Sequence, residues 1–141
     1  MTESHSIQLK TNLGHLLIVD DDELVRDFLQ TSLEDEGYSC AIAANGIETI
    51  QSLRHNATPD VILLDLNMPG VDGLEFLRLA SEHIGAAFGV IVMSGLSGPR
   101  LKEQVMRYGA FTMIEKPIDM AKLLRLIRIQ VDYRKTRANL R

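Results

Sequence analysis

Short apolar runs alternate with stretches of helical spacing five times along the chain. Residues 15–20 hold Leu16-Leu17-Ile18-Val19, an unbroken apolar stretch that predicts a buried strand. Helical spacing follows at Leu24, Val25, Phe28, Leu29 and Leu33, with Gly37 placed to end the helix. Residues 38–44 read as a second strand, after which Asn45 and Glu48 form a capping-box pair. Pro59 closes that helix, and residues 60–64 predict a third strand of the fully buried type. Asn67-Met68-Pro69-Gly70 is turn chemistry, and Asp72 with Glu75 caps a helix reaching about His83. A fourth strand spans residues 88–93 and ends at Ser94-Gly95. Ser97 and Pro99 then begin a helix to about Tyr108, where Gly109 stops it. Residues 111–115 form a short fifth strand broken by Lys116-Pro117. Asp119 caps a last helix whose stripe is Met120, Leu123, Leu124, Ile127 and Val131.

Strict alternation of strand and helix predicts an α/β domain with one five-stranded parallel sheet and helices on both faces. Right-handed crossovers and one reversal of strand order open a crevice at the carboxyl ends of the strands. Acids stand at two of those ends: Asp20-Asp21-Asp22 after the first strand and Asp65 after the third. Aspartate is poor in a strand interior, so these residues mark ends that open on solvent. If the strands are neighbours, the carboxylates converge and repel one another unless protons or a cation compensate them. Oxygen-only ligands favour a hard divalent ion, Mg²⁺ first, which keeps some of its waters. An acidic metal pocket with one acid projecting from mid-sheet suggests phosphoryl chemistry.

Length and composition narrow the class. At 141 residues, with 45% hydrophobic and 24% charged side chains, the chain suits one globular domain with a real core. The longest apolar stretch, residues 86–93, is far short of a membrane span. The first six residues have neither the basic nor the apolar region of a secretory signal, and a cytoplasmic location is expected. Cys40 is the single cysteine, in an apolar stretch, and is expected to be an inert buried thiol. The net charge of −4 hides an asymmetry: residues 122–141 carry +6 and the rest −10. We read the basic end as complementing a terminal helix dipole, with no direct nucleic-acid binding by this domain.

Four separated signals now fall in order: Leu17-Ile18-Val19-Asp20-Asp21, then Leu63-Leu64-Asp65-Leu66-Asn67-Met68-Pro69-Gly70, then Val92-Met93-Ser94-Gly95, then Glu115-Lys116-Pro117. Each lies at a strand's carboxyl end, and together they resemble the receiver domains of bacterial two-component response regulators, the CheY-like superfamily. The resemblance spans about residues 14–131 and implies a flavodoxin-like (βα)5 three-layer sandwich. It implies that Asp65 is the phosphoacceptor, attacking the phosphoryl group of a phosphohistidine on a sensor histidine kinase or phosphotransfer protein. Asp20 and Asp21 match the pair that holds Mg²⁺ with Asp65 and the backbone carbonyl of Asn67. Ser94 matches the hydroxyl that bonds a phosphoryl oxygen, and Lys116 the ammonium that pairs with the acceptor carboxylate. The Lys116-Pro117 peptide is cis in the family. Catalysis is then limited to the domain's own phosphorylation and dephosphorylation.

One position departs from the pattern. Three residues before Lys116 the family usually has Tyr or Phe as a switch; here it is Met113, with Phe111 two residues earlier on the same strand face. Asp22 reads as a helix cap rather than a ligand. The alternatives are a degenerate receiver working as an interaction module, a small Mg²⁺-dependent aspartyl phosphohydrolase and a nucleotide- or flavin-binding domain. Asp20-x-Asp22 is followed by Glu23-Leu24, which does not suit a haloacid-dehalogenase-like hydrolase, and no glycine-rich loop follows the first strand. The expected organisation is a flexible tail at residues 1–13, a receiver domain at 14–131 and a basic helical extension or linker start at 132–141. An output domain in a longer chain, a separate effector and a homodimer on activation are all compatible with this pattern.

Overall fold

The computed structural model describes residues 12–68, 73–84, 89–96 and 98–139. Strands β1 (His15–Val19), β2 (Ser39–Ala43), β3 (Val61–Asp65), β4 (Gly89–Ser94) and β5 (Thr112–Glu115) alternate with five helices. These are α1 (Glu23–Asp35), α2 (Gly46–His55), α3 (Gly73–Ile84), α4 (Pro99–Arg107) and α5 (Met120–Asn139). All strand pairings are parallel, in the order β2-β1-β3-β4-β5. The order reverses between β1 and β3, so the crevice opens above those two strands. This is the parallel sheet with helices on both faces that the alternation predicts, in the flavodoxin-like three-layer arrangement that the resemblance implies.

Period-two alternation divides the strand side chains between two cores. Leu17, Val19, Ile62, Leu64, Val90 and Val92 meet Leu77 of α3 and Val105 of α4. Leu16, Ile18, Leu63 and Ile91 meet Leu29 and Leu33 of α1 and Leu123, Ile127 and Val131 of α5. Every residue of β3 and β4 is buried, as strands covered on both faces require.

The local signals act as read. Gly37 and Gly109, at φ 110° and 112°, adopt the left-handed conformation that terminates α1 and α4. Both ends close the same way. Tyr38 N–H donates to the Leu33 carbonyl at 3.2 Å and Ala110 N–H to that of Val105 at 3.0 Å, with the paired side chains buried. Asn45 Oδ1 accepts from Glu48 N–H at 2.9 Å, while the Glu48 carboxylate reaches Ala44 N–H, one residue before the expected return bond.

Three expectations are corrected. On α1 the inward stripe is Val25, Leu29 and Leu33; Leu24 and Phe28 are 80% and 56% exposed, because they lie one position off that four-residue spacing. Phe111 does not share the face of Met113. It precedes β5, outside the strand's alternation, and packs in the α1/α5 core while Met113 lies in the other. Asn12 and Leu13 are not tail: Leu13 N–H donates to the Gly37 carbonyl at 3.0 Å, and Lys135 Nζ to the Leu13 carbonyl at 2.9 Å. The expected roles of Asp72 and Ser97, and the start of a strand at Phe88, lie outside the described residues. Among the described residues no helix is long and apolar enough to cross a membrane.

Candidate functional site

Strand register builds the site. Val19 of β1 pairs with Leu64 of β3, so the next residues along each strand, Asp20 and Asp65, stand side by side where the sheet ends. Both are almost wholly buried, at 0% and 3% exposure, whereas Asp21 is exposed. One oxygen from each of Asp20, Asp21 and Asp65 lies within 4.8 Å of the others. Asp22 does cap α1, its carboxylate accepting from Leu24 N–H at 3.0 Å.

Lys116 enters from just beyond β5, and the peptide joining it to Pro117 is cis. Its main-chain N–H is held by the Ser94 carbonyl at 2.7 Å. Its ammonium lies 3.1 Å from Asp20 Oδ2 and 3.4 Å from Asp65 Oδ1, closer to the acid of β1 than to that of β3. Asp20 Oδ1 accepts from Asp22 N–H at 2.9 Å, and Asp65 Oδ1 from Asn67 N–H at 3.1 Å. Ser94, fully buried at the end of β4, accepts from Leu96 N–H at 3.0 Å. Met113 is 6% exposed, already packed among Val92, Val105 and Ala110.

The electrostatics follow from this crowding. Burial pushes the Asp65 carboxyl above its ordinary pKa, and the charge of Asp20 adds to the rise; the Asn67 N–H and Lys116 pull against it. Burial opposes the charge on Lys116 too, yet its bonds to Asp20 and Asp65 outweigh that cost and its pKa rises. The asymmetry is physical: one ammonium serves two carboxylates, while each carboxylate has a share of one ammonium. Three acids against one lysine leave the pocket short of positive charge. An all-oxygen donor set, two of its carboxylates held nearly out of water, fits a hard divalent cation. Asn67 enters this geometry through its N–H.

Sequence reasoning missed Arg26, whose Nη1 donates to the backbone carbonyl of Asp20 at 3.0 Å. The signal was present, since Arg26 lies four residues after the capping Asp22 and so on the same helix face. Cys40 is half-buried in β2 rather than buried as expected, and burial, with the charge of Glu34, pushes its thiol up to about 12.

A doubly wound parallel sheet with acids and a lysine converging at its switch point defines a narrow class of protein. The family model for the response regulator receiver domain matches residues 16–128. The transcriptional regulator NtrC of Escherichia coli K12 is 33% identical over 114 residues, covering 81% of this chain and 24% of NtrC. The response regulator MprA of a Mycobacterium species (strain KMS) is 33% identical over 113 residues, covering 80% of this chain and 48% of MprA. A CheY-like receiver domain from Methanospirillum hungatei superposes with a TM-score of 0.79 at 28% identity, over 87% of this chain and 97% of that one. The chain belongs to the response regulator receiver domain family, the receivers of two-component signalling. It spans about a quarter of the length of its NtrC relatives.

Proposed function

We propose that Asp65 is the phosphoacceptor. The observation that carries this is its placement: a buried carboxylate at the switch point, hydrogen-bonded to one backbone N–H and to an ammonium it shares with Asp20. An oxygen of Asp65 attacks phosphorus, the phosphorus–nitrogen bond to the donor's histidine breaks, and its electron pair stays on the imidazole. The product is an acyl phosphate on Asp65.

Asp20, Asp21 and Asp65, with the Asn67 carbonyl, would hold Mg²⁺, which supplies charge neutralisation at the transferring phosphoryl oxygens. Lys116 holds the acceptor carboxylate before transfer and a phosphoryl oxygen afterwards. Ser94 gives up its bond to Leu96 N–H and turns its hydroxyl to another phosphoryl oxygen. Phosphorylation adds roughly −1.5 to −2 charge units beside Asp20 and Asp21. Compensating it rearranges the loops after β4 and β5 and biases the face built from α4, β5 and α5. On that face Met113, Glu115, Pro99 and Lys122 line a cleft of about 440 Å³. Met113 takes the place of the usual aromatic switch.

The donor in this reading is a cytoplasmic histidine kinase or phosphotransfer protein, and the recipient an output domain or effector; homodimerisation on activation is compatible with it. The domain catalyses only its own phosphorylation and dephosphorylation. The test is intact mass after incubation with a small acyl phosphate and Mg²⁺. One labile phosphoryl adduct is expected, absent from Asp65→Asn and from a chelated sample. An adduct that survives Asp65→Asn overturns the assignment.

A further inference from the structure

Arg26 touches neither the acceptor carboxylate nor Lys116 among the described contacts. It stands on α1 one turn past Asp22, and its guanidinium turns back to the residue where the acidic run begins, Nη1 donating to the Asp20 carbonyl at 3.0 Å. Its Nε is the one buried side-chain polar atom among the described residues with no hydrogen-bond partner. Buried polar groups are nearly always paired, so an orphaned N–H on a cation asks for an explanation. The one bond that the guanidinium does make is to the main chain at the start of Asp20-Asp21-Asp22, so it is held there by its Nη1 alone.

Asp20 is thereby fixed at four points. Its N–H donates to the Ala43 carbonyl at 3.1 Å, its Oδ1 takes Asp22 N–H, its Oδ2 takes Lys116, and its carbonyl takes Arg26. The first is part of the sheet edge, and the next two hold the side chain. Among the described residues only Arg26 holds the peptide plane joining Asp20 to Asp21. Rotation of that plane would swing the two carboxylates relative to each other, and their relative placement is what a shared cation reads. An outer group that orients direct ligands in this way typically matters tenfold or more to metal affinity.

We propose that Arg26 is a positioning residue of the acidic pocket: by holding the Asp20–Asp21 peptide it aims both carboxylates and sets the affinity for a divalent cation. The inference rests on the Mg²⁺ reading of that pocket. Its charge alone would act the other way, since a nearby cation repels another, so geometry and charge are separable. Arg26→Lys keeps the charge and most of the packed stem but loses the planar donor.

The experiment is a calorimetric Mg²⁺ titration of the wild type, Arg26→Lys and Arg26→Met, with the backbone amide NMR shifts of Asp21 and Asp22 recorded metal-free. The dissociation constant is expected to rise about tenfold in Arg26→Lys, with both amides displaced before any metal is added. Phosphate incorporation at saturating Mg²⁺ is expected to stay within about twofold, so the defect sits in affinity and not in the chemical step. Unchanged affinity in both variants, even with a lowered unfolding midpoint, overturns the proposal and leaves Arg26 a brace for α1. If Arg26→Met fails to fold, Arg26→Lys decides alone. A wild type that binds no Mg²⁺ at millimolar concentration overturns the pocket reading itself, and this inference with it.

Discussion

Strand β3 is bracketed by two aspartates, Asp60 just before it and Asp65 as its last residue, and they do unlike work. Asp60 is tied to both neighbouring strands: its N–H donates to the His15 carbonyl at 2.7 Å, and its carbonyl accepts from Gly89 N–H at 2.9 Å. Its carboxylate accepts from His15 N–H at 2.9 Å, so the side chain satisfies a strand-end donor that β1 leaves open. Asp65 also takes one backbone N–H, but it is buried beside two other acids and shares one ammonium with Asp20. A carboxylate that closes a sheet edge is architecture. One that is buried, crowded by like charge and only partly compensated is poised for chemistry.

The same substitution made at both ends of β3 separates the two roles most strongly. Asp65→Asn removes the nucleophilic oxygen, and phosphoryl incorporation should fall to nothing by intact mass. Asp60→Asn keeps a carbonyl oxygen for His15 N–H and should be labelled like the wild type. Loss of labelling in Asp60→Asn would mean that the two ends of β3 are coupled and the division of labour is wrong.

Packing gives a second contrast, expected to be smaller and read as stability. At the carboxyl end, a Cβ on Gly73 would come 2.2 Å from the Leu66 carbonyl oxygen, and backbone cannot step aside. At the amino end, a Cβ on Gly89 would meet the Gln130 side chain at 2.5 Å, and a side chain has other rotamers. Gly73→Ala is expected to cost about 3 kcal/mol and Gly89→Ala about 1–2 kcal/mol in denaturant unfolding. The reverse order would show that Gln130 is the more rigid neighbour.

How far the sequence reaches follows the same physics. Four of the five strands were legible because apolar runs closed by Asp, Ser or Glu-Lys are a one-dimensional record of burial and its limit, and β2 because a helix-capping Asn45 follows it. The pocket was legible through Asp20, Asp21, Asp65, Ser94 and Lys116, since each is a polar residue at such a limit. Asp22 as cap and Asp119 as the start of α5 were readable from local hydrogen-bonding habit, and Lys122 N–H does donate to Asp119 at 3.2 Å. What sequence could not supply was rotation and distance. Leu24 and Phe28 look like core by composition, and only the seating of α1 on the sheet turns them out. Phe111 seemed to share a face with Met113 until β5 proved to begin one residue later. The spacing of Arg26 from Asp22 placed it on the right helix face, but its bond is to a main-chain carbonyl, which carries no residue-type signature, so its partner could not be read. The preference of Lys116 for Asp20 over Asp65 is a matter of a few tenths of an ångström.

The smallest effect concerns Asp60 alone and separates its hydrogen bond from its charge. Asp60→Ala leaves His15 N–H without its side-chain acceptor at a half-buried strand end, a loss of about 1–2 kcal/mol. Asp60→Asn retains an acceptor of the same reach and should cost under about 1 kcal/mol. If Asn proves as damaging as Ala, the negative charge itself is what the amino end requires. Asp60 would then resemble Asp65 more than the comparison allows. Matched urea unfolding curves of the two variants, with equal slopes, decide between bond and charge. Equal slopes matter because the His15 donor lies at a strand end, where a variant that frays locally would lower the slope without changing the strength of the contact.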